Sequence, residues 1–156
     1  MGILKPDVGY SRSDGETRLK QYGKAVTVIS LAQAEAALSA AENLCAEITL
    51  ISAPDAAASV GPGWFDAVVT LATSRFPAAK YIAILDCGNA PGDALAALRH
   101  GIKFIRYCGA KQAAITEIAK KYGAKVMQKR PKSLDLSDAE AENQDAITAC
   151  CSWLSS

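Results

Sequence analysis

The part of the chain that most constrains its fold lies between residues 82 and 101. Residues 82–85 are an apolar run rich in isoleucine, and Asp86 follows in a turn. Pro91 then suits the first turn of a helix, and Gly101 suits its end. A buried strand, a tight turn and a helix in succession are half of a β-α-β unit. The sequence therefore predicts an α/β fold and places Asp86 at the sheet edge where such folds bind ligands.

The same alternation of apolar runs and helical patterns continues through the chain. The predicted strands are residues 25–29, 48–51, 81–85, 103–107 and 125–129. The predicted helices are residues 31–44, 64–75, 91–100 and 112–122, with a last helix from Ser137. Two capping boxes, Ser30 with Gln33 and Ser137 with Glu140, indicate helix starts.

Five strands alternating with five helices predict a single open parallel sheet with helices on both faces, of the flavodoxin-like or Rossmann-like class. Right-handed crossovers leave two strand orders, of which 2-1-3-4-5 is preferred and 3-2-1-4-5 is the alternative. Residues 1–22 are polar and predict a flexible N-terminal arm. Residues 23–156 then form a single α/β domain, since their length suits one core.

The charge and hydropathy of the chain argue against several partners. Its 17 basic and 16 acidic residues give a net charge of +1. Near-neutral and interspersed charge predicts neither a nucleic-acid partner nor a polybasic membrane patch. No apolar run approaches the roughly 18 residues that span a bilayer, and no secretory signal is recognisable. We expect a cytoplasmic location.

We expect the five cysteines to be buried apolar side chains and not disulfides, metal ligands or reactive thiols. Their odd number argues against a disulfide scaffold, and the absence of Cys-x-x-Cys argues against a zinc site. A reactive thiol at Cys87 or Cys108 remains an alternative, because both follow predicted strands. The Cys150–Cys151 pair is expected on the last helix, which we expect to expose Trp153 as a possible interface.

Candidate ligand-binding residues follow the predicted strands, because the carboxyl ends of parallel strands meet at one edge of the sheet. They are Ser30, Gly61, Gly63, Trp64, Asp86, Cys87, Asn89 and Lys129. Neither of the glycine-rich phosphate-binding patterns G-x-G-x-x-G and G-x-x-x-x-G-K-[ST] occurs. The sequence therefore names no cofactor and predicts no metal site.

Two of these residues allow a structural interpretation beside the functional one. Asp86 is the best catalytic candidate, as a base or as an acceptor for a ligand hydroxyl. It could equally accept backbone N–H groups of Gly88 or Asn89 in an Asx-turn. Trp64 could stack on a ligand, or it could cover the end of the core.

The arrangement resembles the receiver domains of two-component signalling. Asp86 ends the third strand, as their phospho-acceptor does, and Lys129 with Pro131 is similar to their lysine-proline pair. The acidic pair that holds magnesium in those domains is absent, since residues 30–33 read Ser-Leu-Ala-Gln. We interpret the resemblance as shared architecture, not as family membership.

The sequence does not decide whether the chain is an enzyme. The first hypothesis is a site for a small polar or anionic metabolite at the carboxyl ends of the strands. The alternative is a non-enzymatic, receiver-like interaction module that associates with itself or with a partner.

Overall fold

The computed structural model describes residues 23–156, so the predicted arm at residues 1–22 lies outside the described residues. The strands are β1 (Ala25–Val28), β2 (Glu47–Ser52), β3 (Lys80–Asp86), β4 (Phe104–Arg106), β5 (Lys125–Met127) and β6 (Ser133–Asp135). The helices are α1 (Leu31–Asn43), α2 (Ala56–Ser59), α3 (Gly61–Arg75), α4 (Pro91–His100), α5 (Gln112–Lys121), α6 (Leu136–Ala141) and α7 (Ala146–Ser155). The α/β class and the parallel sheet are confirmed.

The sheet has six strands in the order β5-β4-β3-β2-β1-β6. The prediction of five strands was therefore wrong, and so were both predicted orders. The sixth strand pairs in parallel with β1, with Ala25 opposite Ser133. Its three residues, Ser-Leu-Asp, contain one apolar side chain, which is too little for a strand pattern. The observed order also differs from the order 2-1-3-4-5 that went with the receiver-like architecture.

Five of the seven described helices pack in one row, α7-α1-α3-α4-α5, in which each helix contacts the next. From β1 to β5 every crossover steps in the same direction. Right-handed crossovers that all step the same way put their helices on the same face of a sheet. Helices had been predicted on both faces, but those of residues 23–156 cover one. We call this side the helical face.

Apolar side chains of alternate strand positions fill the helical face. One cluster joins β1 and β2 to α1, α3 and α7, and a second joins β3 and β4 to α3, α4 and α5. The opposite strand positions form a separate buried cluster, which contains Ala25, Ile51, Ile82 and Ile84. We call that side the inner face.

The short segment between β5 and β6 requires the sheet to curve strongly. These strands lie at opposite ends of the strand order, which in a flat sheet would be about 24 Å apart. The six Cα–Cα steps from Met127 to Ser133 span at most about 22 Å when fully extended. The two edges therefore approach each other, and the inner face is concave.

The helix starts were predicted with mixed success. The Ser30 cap is confirmed, because its Oγ accepts a hydrogen bond from Gln33 N at 3.1 Å. The prediction of a second capping box at Ser137 and Glu140 was wrong, because Ser137 lies inside a helix. The last helical stretch divides into α6 and α7, and Asp135 and Asp145 cap them. Within residues 23–156, no helix has the length and apolar character needed to cross a membrane.

Candidate functional site

Asp86 ends β3 on the inner face, where it is fully buried. Its Oδ1 accepts hydrogen bonds from Gly88 N at 2.8 Å and from Asp55 N at 3.3 Å. The first of these is the Asx-turn contact that the structural interpretation requires. Gly88 has a φ of +57°, which L-residues rarely adopt, and a Cβ there would require the Asp55 carboxylate to move, so this turn favours glycine.

Two arginines close over the Asp86 carboxylate. Arg130 Nη1 lies 2.8 Å from Oδ2, and Arg106 Nη1 lies 3.4 Å from both carboxylate oxygens. The arginine side chains are 20% and 19% exposed, respectively. Two backbone N–H groups and two arginines thus donate to this buried carboxylate, and four donors hold it as a hydrogen-bond acceptor. The geometry therefore favours an anchoring role for Asp86 over that of a general base.

Arg130 also joins the ends of the first two strands. Its Nη2 donates to Thr27 Oγ1 at 3.0 Å and to the Ser52 carbonyl at 2.8 Å. Thr27 Oγ1 lies 2.7 Å from Ser133 Oγ, which brings in β6. Asp86 N donates to Ser52 Oγ at 2.9 Å. We call Thr27, Ser52, Asp86, Arg106, Arg130 and Ser133 the arginine network.

The arginine network has a surplus of positive charge. Its two guanidinium groups face one carboxylate, so the cluster as defined has a net charge of +1. The Asp55 carboxylate is close by, but Asp55 is exposed and its charge is screened by water. Arg106 is the less committed arginine. Its Nε donates to the Gln128 carbonyl at 3.1 Å, and within residues 23–156 its Nη2 makes no hydrogen bond.

The structure brings together only some of the residues predicted for the site. Asp86 is at its centre. Asn89 and Lys129 are exposed, and neither takes part in the arginine network. Ser30 is occupied with capping α1. Arg130, the residue after Lys129, is the one that reaches Asp86.

The glycine-rich segment before Trp64 is helical, not a loop. Gly61 and Gly63 belong to the first turn of α3, which begins earlier than predicted. Trp64 packs against the buried clusters of the helical face. The structural interpretation of Trp64 therefore holds, and these three residues lie on the opposite side of the sheet from the arginine network.

The cysteines act as apolar side chains where they are buried. Burial, followed by the negative charges of Asp86 and Asp93, raises the pKa of the Cys87 thiol to about 12. Burial likewise raises the pKa of Cys150 to about 12, with smaller contributions from Cys151 and Asp145. Neither forms a thiolate at neutral pH, so neither is a nucleophile.

Trp153 differs from its predicted exposed position. It is half-buried, and its Nε1 donates to the Ala25 carbonyl at 2.9 Å. The Nζ atoms of Lys24 and Lys132 lie 5.0 Å and 5.9 Å from the centre of its ring. These contacts fasten α7 to the start of β1 and account for the tryptophan without a partner.

Of the arginine network, only Asp86 is among the candidate residues selected from the sequence. Arg106 lies two residues after Phe104 in a short strand, so both side chains are on the same face of the sheet. This alternation was the one sequence feature that could have placed Arg106 on the inner face. Arg130 lies between two strands, where no periodic pattern marks it. Thr27 reads as an ordinary strand residue, and Ser133 lies in the strand that no sequence pattern predicted.

Within the part of the chain that the structure describes, no group of three or more His, Cys, Asp or Glu residues could hold a metal ion. No protein-family model matches the chain, and no curated protein matches its sequence.

Proposed function

We propose that this chain binds a small anionic metabolite at the carboxyl ends of its strands, and that Arg106 provides the principal contact. The observation that carries the proposal is the excess of one guanidinium group over carboxylate in a largely buried cluster. A partly desolvated cation without its own counter-ion is costly, and a bound anion would remove that cost.

The two arginines have different roles in this proposal: Arg130 is structural, and Arg106 contacts the ligand. Arg130 has both Nη atoms committed to Asp86, Thr27 and Ser52, which fixes its position. Arg106 is held at one edge by Gln128 and by long contacts to Asp86. It therefore keeps donors for a carboxylate or phosphate group, the anions that guanidinium recognises best.

The proposal is tested by thermal unfolding of the purified protein with inorganic phosphate, phosphorylated metabolites and small carboxylates. A ligand of the native state at a hundred times its Kd stabilises that state by about 2.7 kcal/mol. We expect at least one anion to raise Tm, and Arg106→Met to abolish the increase.

The matched control is Arg75→Met. Arg75 pairs with Glu35 at 2.6 Å on the exposed surface, so its removal takes away the same charge without touching the inner face. A stabilisation lost equally in both variants would reflect net charge alone and would overturn the proposal. So would a screen in which no anion raises Tm.

A further inference from the structure

The net charge of +1 hides a strong separation of charge along the chain. Residues 99–132 contain ten of the 17 basic residues and one of the 16 acidic residues, Glu117, which gives this segment a net charge of +9. The rest of the chain has a net charge of −8. The charges are therefore not interspersed, and the argument against a polyanionic partner loses its basis.

Residues 128–132 lead to β6 at one end of the strand order, but most of the positive segment, residues 99–127, lies at the other end, because it includes β4, α5 and β5. Five of its cations gather where these strands begin and where α4 and α5 end. They are Arg99, Lys103, Lys120, Lys121 and Lys125, and we call them the basic corner.

Hydrogen bonds in the described residues tie the basic corner together. Lys103 Nζ donates to the Tyr122 carbonyl at 2.7 Å, directly beside Lys121. Lys125 N donates to the Lys103 carbonyl at 2.8 Å. Arg99 is in the last turn of α4, four residues before Lys103 along the chain. Lys103, Lys121 and Lys125 are therefore neighbours on one surface, and the corner lies at the opposite end of the strands from the arginine network.

Local structure explains only part of this charge. Lys120 and Lys121 in the last turn of α5 complement the helix dipole, as Arg99 does in α4. Glu117 pairs with Lys120 at 2.9 Å, and the two side chains are 70% and 67% exposed. The remaining cations of the corner repel one another.

We propose that the basic corner binds the phosphodiester backbone of nucleic acid. Clustered lysines neutralise phosphates without needing a fixed geometry. Lysine is depleted at the centres of protein–protein interfaces, which argues against a protein partner. Tyr122, exposed at 41%, lies within the corner and offers a ring on which a base can stack.

Fluorescence anisotropy with a labelled single-stranded DNA and an RNA of the same sequence tests the proposal. Over about 50 to 200 mM salt, we expect a Kd of about 1 to 100 μM that weakens as salt increases. Five neutralised phosphates on a single strand give a slope of about −3.5 in log K against log salt. DNA and RNA should bind alike, since the contact is to the backbone.

The decisive variant carries Arg99→Gln, Lys103→Gln and Lys121→Gln. We expect its affinity to fall at least tenfold and its salt slope to become shallower by about 2. The matched control carries Arg75→Gln, Lys111→Gln and Lys132→Gln, which removes the same charge outside the corner and should keep the affinity within about threefold. Arg106→Met should also leave binding unchanged, which separates this surface from the proposed metabolite site.

Three results would overturn the proposal. The first is no binding at about 50 mM salt. The second is an equal loss in both triple variants while circular dichroism shows both folded. The third is displacement of the DNA by polyglutamate of the same length and at the same concentration, which would assign the corner to an acidic protein.

Discussion

The two faces of the sheet solve the problem of burial in different ways. On the helical face, apolar side chains of the strands meet five helices, and the buried thiols Cys87 and Cys150 behave as part of that packing. On the inner face, isoleucines share the surface with Thr27, Asp86 and Arg106. Packing alone explains the helical face. The inner face holds charge that packing does not require, which is why the proposed metabolite site lies there.

The largest expected effect tests whether the inner face depends on charge balance. Asp86→Asn should reduce the free energy of unfolding by about 3 kcal/mol, because it leaves two partly buried arginines without a counter-ion. Urea denaturation measures the change.

The double variant Asp86→Asn with Arg130→Met is the control for this interpretation. Removing the opposing charge should recover part of the lost stability, so the double variant should be less destabilised than the sum of the two single variants. Strict additivity would mean that the Asp86 carboxylate and the Arg130 guanidinium do not stabilise each other, and the contrast between the faces would weaken.

The next effect tests the helical face through a buried thiol. Burial raises the pKa of Cys87 to about 12 in the folded protein, above the ordinary thiol value of 9.0. Its contribution to stability is therefore complete below about pH 9 and is lost as the pH rises towards 12. At about pH 10.5 the loss is on the order of 2 kcal/mol.

Urea unfolding of the wild type and of Cys87→Ala at about pH 8 and about pH 10.5 isolates this contribution. The variant should lose less stability between the two pH values than the wild type does, while Cys45→Ala, at an exposed site, should behave as the wild type. An identical pH dependence in all three proteins would show that the Cys87 thiol ionises as freely in the fold as in the unfolded chain.

The sequence predicted the helical face better than the inner one. Apolar runs such as residues 48–51 mark strands wherever packing dictates them. A right-handed crossover can place the next strand on either side of the previous one, and no local sequence pattern shows which side. The strand order could therefore not be predicted. Consequently the helices were expected on both faces.

The sequence predicted the site residue that directly follows a regular strand but not the one that lies in an irregular segment. Asp86 was identifiable because a carboxylate directly follows an apolar strand. Arg130 was not, because a residue in an irregular segment has no pattern that gives its direction. The neighbouring Lys129 satisfied the same sequence argument, and only the path between β5 and β6 distinguishes the two.

The smallest effect asks whether a single hydroxyl of the inner face matters. Thr27→Val keeps the shape of a buried strand residue but removes the oxygen that accepts from Arg130 Nη2 and lies 2.7 Å from Ser133 Oγ. The loss should be about 1 kcal/mol, the usual value for one hydrogen bond. Thr27→Ser restores the hydroxyl and should cost less, although it removes a methyl group. If urea denaturation instead ranks Thr27→Ser below Thr27→Val, apolar packing dominates at this position, and the inner face resembles the helical face more closely than its charges suggest.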